Sequence, residues 1–317
     1  MIQTLRGPIP AEALGWTYVH EHVLTQPPAW RVEEDPDFVL DSPERSLEEI
    51  EAFRRAGGQT LVDATARDYG RDARALLAIA ERTAVNIVAL TGWNRGDYGE
   101  EALASSVGEM VEIMLGDLRE GMDGTEARAG IAKLGTSYNV ILPVEERITR
   151  AVGLVQAETG CPVLTHTTRG TMASEQLDLL EESGADLDKV AVSHMDQNLD
   201  FGLLEEICSR GAYVLFDGPS KVKYAPDSAR IEMLERLVEA GYRERLLVSG
   251  DMGRRSYLRA YGGGPGFEYI LGKFVPRLRR EGFDDGLIET FFVHNPARWL
   301  DDIRLSQSAP NVSPSAG

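Results

Sequence analysis

The stretch Gly15-Trp16-Thr17-Tyr18-Val19-His20-Glu21-His22 reads as a short strand whose apolar side chains give way to a pair of imidazoles. Residues two apart on a strand face the same way, so His20 and His22 present both rings on one side of its C-terminal end. Seven further runs are built alike, and with 17–22 they make eight: 60–65, 86–91, 129–135, 162–166, 189–194, 212–216 and 246–250. Most are too short and too continuously apolar for a surface strand, which suits strands covered on both faces.

Helical patterns separate these runs, at 42–56, 72–82, 101–118, 144–158, 173–183, 201–210 and 227–240, with more at 267–281, 285–292 and 296–300. Ser42-Pro43 is a start signal, and several of the stretches run into Gly, where a left-handed cap is expected. Eight alternating strand–helix units predict an α/β fold of the closed (β/α)8 TIM-barrel type, as a single domain over 1–305, with a polar tail over 306–317 expected to be disordered. On pattern alone, an open doubly wound sheet is the alternative.

The chain has 317 residues, 43% hydrophobic and 26% charged, which suits one soluble barrel. Its formal net charge of −18, with no long basic run, excludes a phosphate backbone as partner, so no nucleic acid is expected. No apolar run is long enough to span a membrane and the first residues lack the core of a secretion signal, so a cytoplasmic protein is expected. Cys161 and Cys208 carry no paired spacing that would suggest a disulfide.

Further polar residues fall at strand ends: His166 at the fifth, His194 at the sixth and Asp251 at the eighth. In a closed barrel those ends converge on one face, and imidazole nitrogen with carboxylate oxygen suits zinc, manganese, iron or cobalt. Lys133 lies inside the apolar fourth run, where a charge is costly. It either finds a buried ion pair, reaches the mouth, or loses its charge and reacts with carbon dioxide to give a carbamate.

This ordered set, His20-x-His22, Lys133, His166, His194 and Asp251, resembles the phosphotriesterase family of the amidohydrolase superfamily, from about Gly15 to Leu300. Val62-Asp63-Ala64-Thr65, Gly70-Arg71-Asp72 and His294-Asn295-Pro296-Ala297 add local matches. The resemblance implies a metal-dependent hydrolase with two divalent ions, zinc being the first expectation and manganese, cobalt or iron the others. His20, His22 and Asp251 would hold the more buried ion and His166 and His194 the more exposed one, with carbamylated Lys133 bridging them. A hydroxide shared by the metals would attack, and Asp251 would act as the catalytic proton carrier. Relatives carry two acidic residues after the sixth-strand histidine. Here Asp196 could serve as a relay but Gln197 cannot ionise.

The metal ligands do not separate the family's activities, which include phosphotriesterases, acyl-homoserine-lactone hydrolases and sugar lactonases. The loops after strands seven and eight, Asp217–Tyr224 and Asp251–Tyr257, gather Lys, Arg and Tyr in an acidic protein. They are similar to those of the phosphorylated sugar lactonases, which implies that Lys223, Arg254 and Tyr257 hold a substrate phosphate. Lys221 or Arg255 pointing inward is the alternative. The expected activity is therefore opening of a phosphorylated lactone, a small-molecule substrate, with a phosphotriesterase or acyl-homoserine-lactone hydrolase as the rival enzyme. A metal-holding binding protein without catalysis is the rival of another class. Analogy suggests a homodimer. Trp30, Trp93 and Tyr98 offer aromatic surface that serves either packing or substrate.

Overall fold

The computed structural model describes residues 1–96 and 98–301, so the tail expected over 306–317 lies outside the described residues. Eight parallel strands alternate with helices around a barrel, as expected. The strands are β1 (Thr17–Glu21), β2 (Thr60–Asp63), β3 in two segments (Asn86–Val88 and Leu90–Gly92), β4 (Ile131–Thr136), β5 (Val163–Thr167), β6 (Val190–Val192), β7 (Tyr213–Phe216) and β8 (Leu246–Val248). Each pairs in parallel with the next from β1 through to β8, the two segments of β3 serving β2 and β4 respectively.

Alternation along the strands sorts the apolar side chains into two shells. Val19, Val62, Leu90, Ile131, Leu164, Ala191, Leu215 and Leu247, one from each strand, meet in a buried interior cluster with Ile2 and Trp299. Their strand neighbours Leu61, Ala132, Val163, Val190, Val214 and Leu246 belong to the outer cluster, with helix residues such as Ile50, Phe53, Leu76, Ile148, Leu204 and Leu234. Both faces of the sheet are thus apolar, which is why the strands read as continuous runs.

The outer helices are α1 (Pro43–Arg55), α2 (Ala73–Arg82), α3 (Val107–Arg119), α4 (Pro143–Thr159), α5 (Ala173–Glu182), α6 (Phe201–Ser209) and α7 (Asp227–Glu239). Ser42 caps α1 through its side chain and Pro43 opens it; Gly160, with φ 66°, closes α4. The helix expected over 101–118 is instead two, Glu100–Ala104 and α3. Ser106 and Glu109 form a capping box that starts a new helix there. An N-terminal antiparallel pair, Ile2–Thr4 with Gly7–Ile9, was not expected from the pattern. It docks on β3 through the Leu5 N–H to the Ile87 carbonyl at 2.8 Å. No helix among the described residues is long and apolar enough to cross a membrane.

Side chains carry much of the closure between β8 and β1. The Asp251 N–H donates to the His20 carbonyl at 2.8 Å, and the His20 N–H donates to Ser249 Oγ at 2.9 Å. Glu21, fully buried, takes the Gly250 N–H on Oε1 at 2.7 Å and the Met252 N–H on Oε2 at 2.9 Å. A Cβ at Gly250 would stand 2.7 Å from Glu21 Oε1, so a larger residue there would displace this carboxylate from its hydrogen bonds. Replacing Glu21 leaves buried N–H donors without partners, each costing about 1–3 kcal/mol. Glu21→Ala is expected to lower the urea midpoint of unfolding well below that of a surface Glu→Ala control.

Candidate metal centre at the barrel mouth

The inward parity of the strands continues upward from the apolar interior into polar groups. Above Ile131 comes Lys133, above Leu164 His166, above Leu215 Asp217, and above Leu247 Ser249 and Asp251. His20 breaks the alternation, because Val19 directly before it also faces inward. A register shift between Tyr18 and Glu21 against β2, a bulge, accounts for this and re-aims the His20-x-His22 pair. His194 stands two residues past β6 with φ 63°, and Asp251 three past β8 with φ 43°. Both are left-handed, which residues other than glycine adopt rarely, and which recurs where a side chain must be aimed.

The groups converge. His20 Nε2 and His22 Nε2 lie 3.7 and 3.5 Å from Asp251 Oδ1. His194 Nε2 lies 2.8 Å from His166 Nδ1. Two three-residue sets have ligand atoms within 4.8 Å of one another: His20, His22 and Asp251, and His20, His194 and Asp217. Lys133 is fully buried, and its Nζ has no hydrogen-bond partner among the described residues. Burial pushes its amine down to about 8 against the pull of Asp251, Asp217, Asp68 and Asp63. Among the candidate metal residues, His166 is in neither three-residue set but meets His194.

Asp217 is a residue that the spacing of histidines did not bring out. Its Oδ1 accepts from His194 Nδ1 at 2.9 Å, and its Oδ2 lies 3.2 Å from His20 Nδ1. Burial would raise its carboxyl, but the two imidazoles outweigh that and hold it below the ordinary range. With Nδ1 carrying the proton on both rings, Nε2 is left bare to bind a cation. Thr65 does the same for His22: its hydroxyl lies 3.0 Å from Asp63 Oδ1 and 2.9 Å from His22 Nδ1. The inward series Tyr213, Leu215, Asp217 is the signal in the sequence that would have found Asp217.

Lys221, held above as an alternative to Lys223, is the lysine that points inward. It is buried, and Nζ donates to Asp251 Oδ2 and to the Asp251 carbonyl, both at 2.6 Å. Lys223 sits at the rim, 4.9 Å from the Tyr224 ring centroid and 5.2 Å from that of Tyr257. Arg254 Nη1 bonds Asp35 at 2.7 Å and Asp37 at 3.2 Å, while its guanidinium stacks on Phe38. Arg255 turns outward to Val39 and Asp41. The relay considered for Asp196 does not fit. Asp196 is fully buried, takes Arg230 Nε at 2.6 Å and the Gly218 N–H at 2.8 Å, and is absent from the cavity wall, where Gln197 stands instead.

His20, His22, His166, His194 and Asp251 line a cavity of about 310 Å³, the size of a small polar metabolite, reached from the C-terminal face. Tyr69, Tyr98, Tyr224 and Tyr257 and the cations Arg31, Arg95, Arg169, Lys221 and Arg254 form its outer wall. Trp93 is fully buried and packs; Trp30 meets Tyr98 edge-on outside.

Known proteins resemble this chain in sequence and fold. The sequence pattern of the Phosphotriesterase family matches residues 1–300. A phospho-furanose lactonase of Mycoplasmopsis synoviae (strain 53) is 33% identical, over 94% of this chain and 91% of its own. The crystal structure of a lactonase from Listeria monocytogenes superposes with a TM-score of 0.91 at 38% identity, covering 95% of this chain and 99% of that one. The phosphotriesterase homology protein of Escherichia coli, crystallised with phosphate in its active site, gives 0.87 at 35% identity, over 91% and 99%.

Asp217→Asn exchanges one carboxylate oxygen for an NH2 donor, so one of the two imidazoles loses its enforced tautomer. Affinity for a divalent cation is expected to fall about 10- to 100-fold, measured by chelator competition, with the fold intact by circular dichroism. Unchanged affinity would show that Asp217 does not orient ligands.

Proposed function

The chain belongs to the phosphotriesterase family and is a metal-dependent hydrolase, and from that premise we propose that it opens phosphorylated sugar lactones at the barrel mouth. The observation that carries the reading is the pairing of one convergent His/Asp/Lys cluster with a cationic, tyrosine-rich outer wall in a chain of net charge −18. Local cations that offset so acidic a background suit an anionic substrate.

The donor set fits a pair of divalent cations. Imidazole Nε2 atoms left bare by Asp217 and Thr65, together with one carboxylate, suit zinc, manganese, cobalt or iron, with zinc the first choice. We assign His20, His22 and Asp251 to one ion and His166 and His194 to the other. The buried, unpartnered Lys133 amine fits a bridging role as its carbamate. The neutral amine adds to carbon dioxide and releases one proton, which replaces an orphaned nitrogen by two oxygen donors. When bound, the cations supply activation of water and polarisation of the lactone carbonyl.

The chain's own residues do the rest. Asp251 takes the proton of the attacking water on its carboxylate and passes it to the ring oxygen as the carbon–oxygen bond breaks, leaving a hydroxy acid. Lys221 on Oδ2 holds that carboxylate in place. Lys223, Arg254 and Tyr257, on the loops after β7 and β8, hold the phosphate away from the reacting centre. Arg254 contributes guanidinium N–H donors, Lys223 charge, and Tyr257 a neutral hydroxyl.

The test is a panel of a 5-phosphorylated γ-lactone, its neutral counterpart, an acyl-homoserine lactone and a dialkyl aryl phosphotriester. The phosphorylated lactone is expected to lead in kcat/KM by about 100-fold or more, as two charge-assisted hydrogen bonds imply. Chelation should abolish turnover, and added zinc, manganese or cobalt restore it. A leading phosphotriester or acyl-homoserine lactone would replace this reading with a rival hydrolase. Turnover of none would favour a binding protein.

A further inference from the structure

Four of the five cations on the cavity wall have a described partner or tie beyond an aromatic face. Arg254 shares Nη1 between Asp35 and Asp37, Arg31 pairs with Glu34, Lys221 is held by Asp251, and Arg95 stacks on Tyr98 and has a further partner. Arg169, in the loop after β5, differs. Among the described residues no carboxylate pairs with its guanidinium, which lies over the Tyr224 ring, 4.9 Å from the centroid. Lys223 lies the same 4.9 Å from that ring and likewise has no carboxylate partner among the described residues.

The root of Arg169 is fixed. Its backbone is left-handed, with φ 62° and ψ 28°. The turn is tied on both sides: Thr168 Oγ1 donates to the Thr136 carbonyl at 2.8 Å, Thr171 Oγ1 to the Thr168 carbonyl at 2.8 Å, and Asn198 Nδ2 to the Gly170 carbonyl at 3.2 Å. A non-glycine residue held there by its surroundings is aimed, and the aim is over Tyr224 at the cavity wall.

We infer that Arg169 is a specificity-determining residue, the uncompensated cation that selects a phosphate-bearing substrate; this rests on the reading above and adds a residue from the β5 loop to it. A phosphate set against Arg254 also meets the charges of Asp35 and Asp37, so that guanidinium contributes donors but little net attraction. Arg169 and Lys223 flank the same phenol without such opposition. Arg254, Lys221 and Arg169 all disfavour the charge on Lys223, after burial, which marks a cluster of like charges relieved by an anion. The guanidinium fork matches a phosphate bidentately, and a lysine in its place supplies the charge alone.

The experiment separates binding from turnover. Ribose 5-phosphate, a phosphate monoester with no lactone to open, is titrated calorimetrically into the metal-loaded protein and into metal-loaded R169M and R169K. R169M should bind about 10- to 100-fold more weakly than the parent, with R169K between them. In the lactone panel, R169M should lower the ratio of kcat/KM for the phosphorylated over the neutral lactone by a similar factor. Binding by R169M equal to the parent's, or no binding by the parent, overturns the inference. Parent binding that is lost in R169M, with no turnover of any phosphorylated lactone, upholds the anion site and overturns the proposed reaction instead.

Discussion

A lysine amine buried where the apolar barrel interior gives way to the polar mouth, with no hydrogen-bond partner among the described residues, is the constraint around which the mouth is organised. Lys133 follows Ile131 on the inner face of β4, so strand geometry forces it inward. An unpaired polar group at full burial costs several kcal/mol on apolar-transfer scales. Four carboxylates, Asp251, Asp217, Asp68 and Asp63, act on it from around the site. The cost is sensible if the amine is turned into an oxygen ligand between two cations, and hard to explain otherwise.

The same geometry explains what the sequence reveals and what it hides. Lys133, His166 and Asp251 keep the inward alternation of Ile131, Leu164 and Leu247, so reading the strands by twos finds them. His20 needs a bulge and His194 a left-handed residue to face inward. Their residue type pointed to them, but their orientation was not legible. Asp217 keeps the alternation of Tyr213 and Leu215, but a lone aspartate carries no ligand pattern of its own as the histidines do. The split of 101–118 at Ser106 was legible as a capping box, whereas the N-terminal strand pair has segments of only three residues and no periodicity to betray it.

Loops were the less legible part, for a physical reason. Strand parity says which way a side chain points, but a loop follows only its own turns and contacts. Lys221 and Lys223 are two residues apart, and nothing in Asp217–Tyr224 says that the first bonds Asp251 while the second stacks on phenols. Arg254 was expected to hold a substrate phosphate, and nothing near it in sequence announces Asp35 and Asp37, more than two hundred residues away, which pair with it. Arg169 drew no attention because its neighbours are threonines and glycine, and its aim comes from a backbone conformation that composition does not announce. An acidic protein can still carry a cationic cavity wall, because the charge there depends on which cations are paired locally.

Carbamylated Lys133 joining two cations at the strand ends is the proposal on which the mouth's chemistry turns. Anomalous diffraction from crystals grown with a divalent metal and bicarbonate tests it most directly. Two anomalous peaks are predicted, one beside His20, His22 and Asp251 and one beside His166 and His194, with continuous density extending Lys133 Nζ to a carboxylate that touches both. A single peak or none, with Lys133 ending in an unmodified amine, would contradict it.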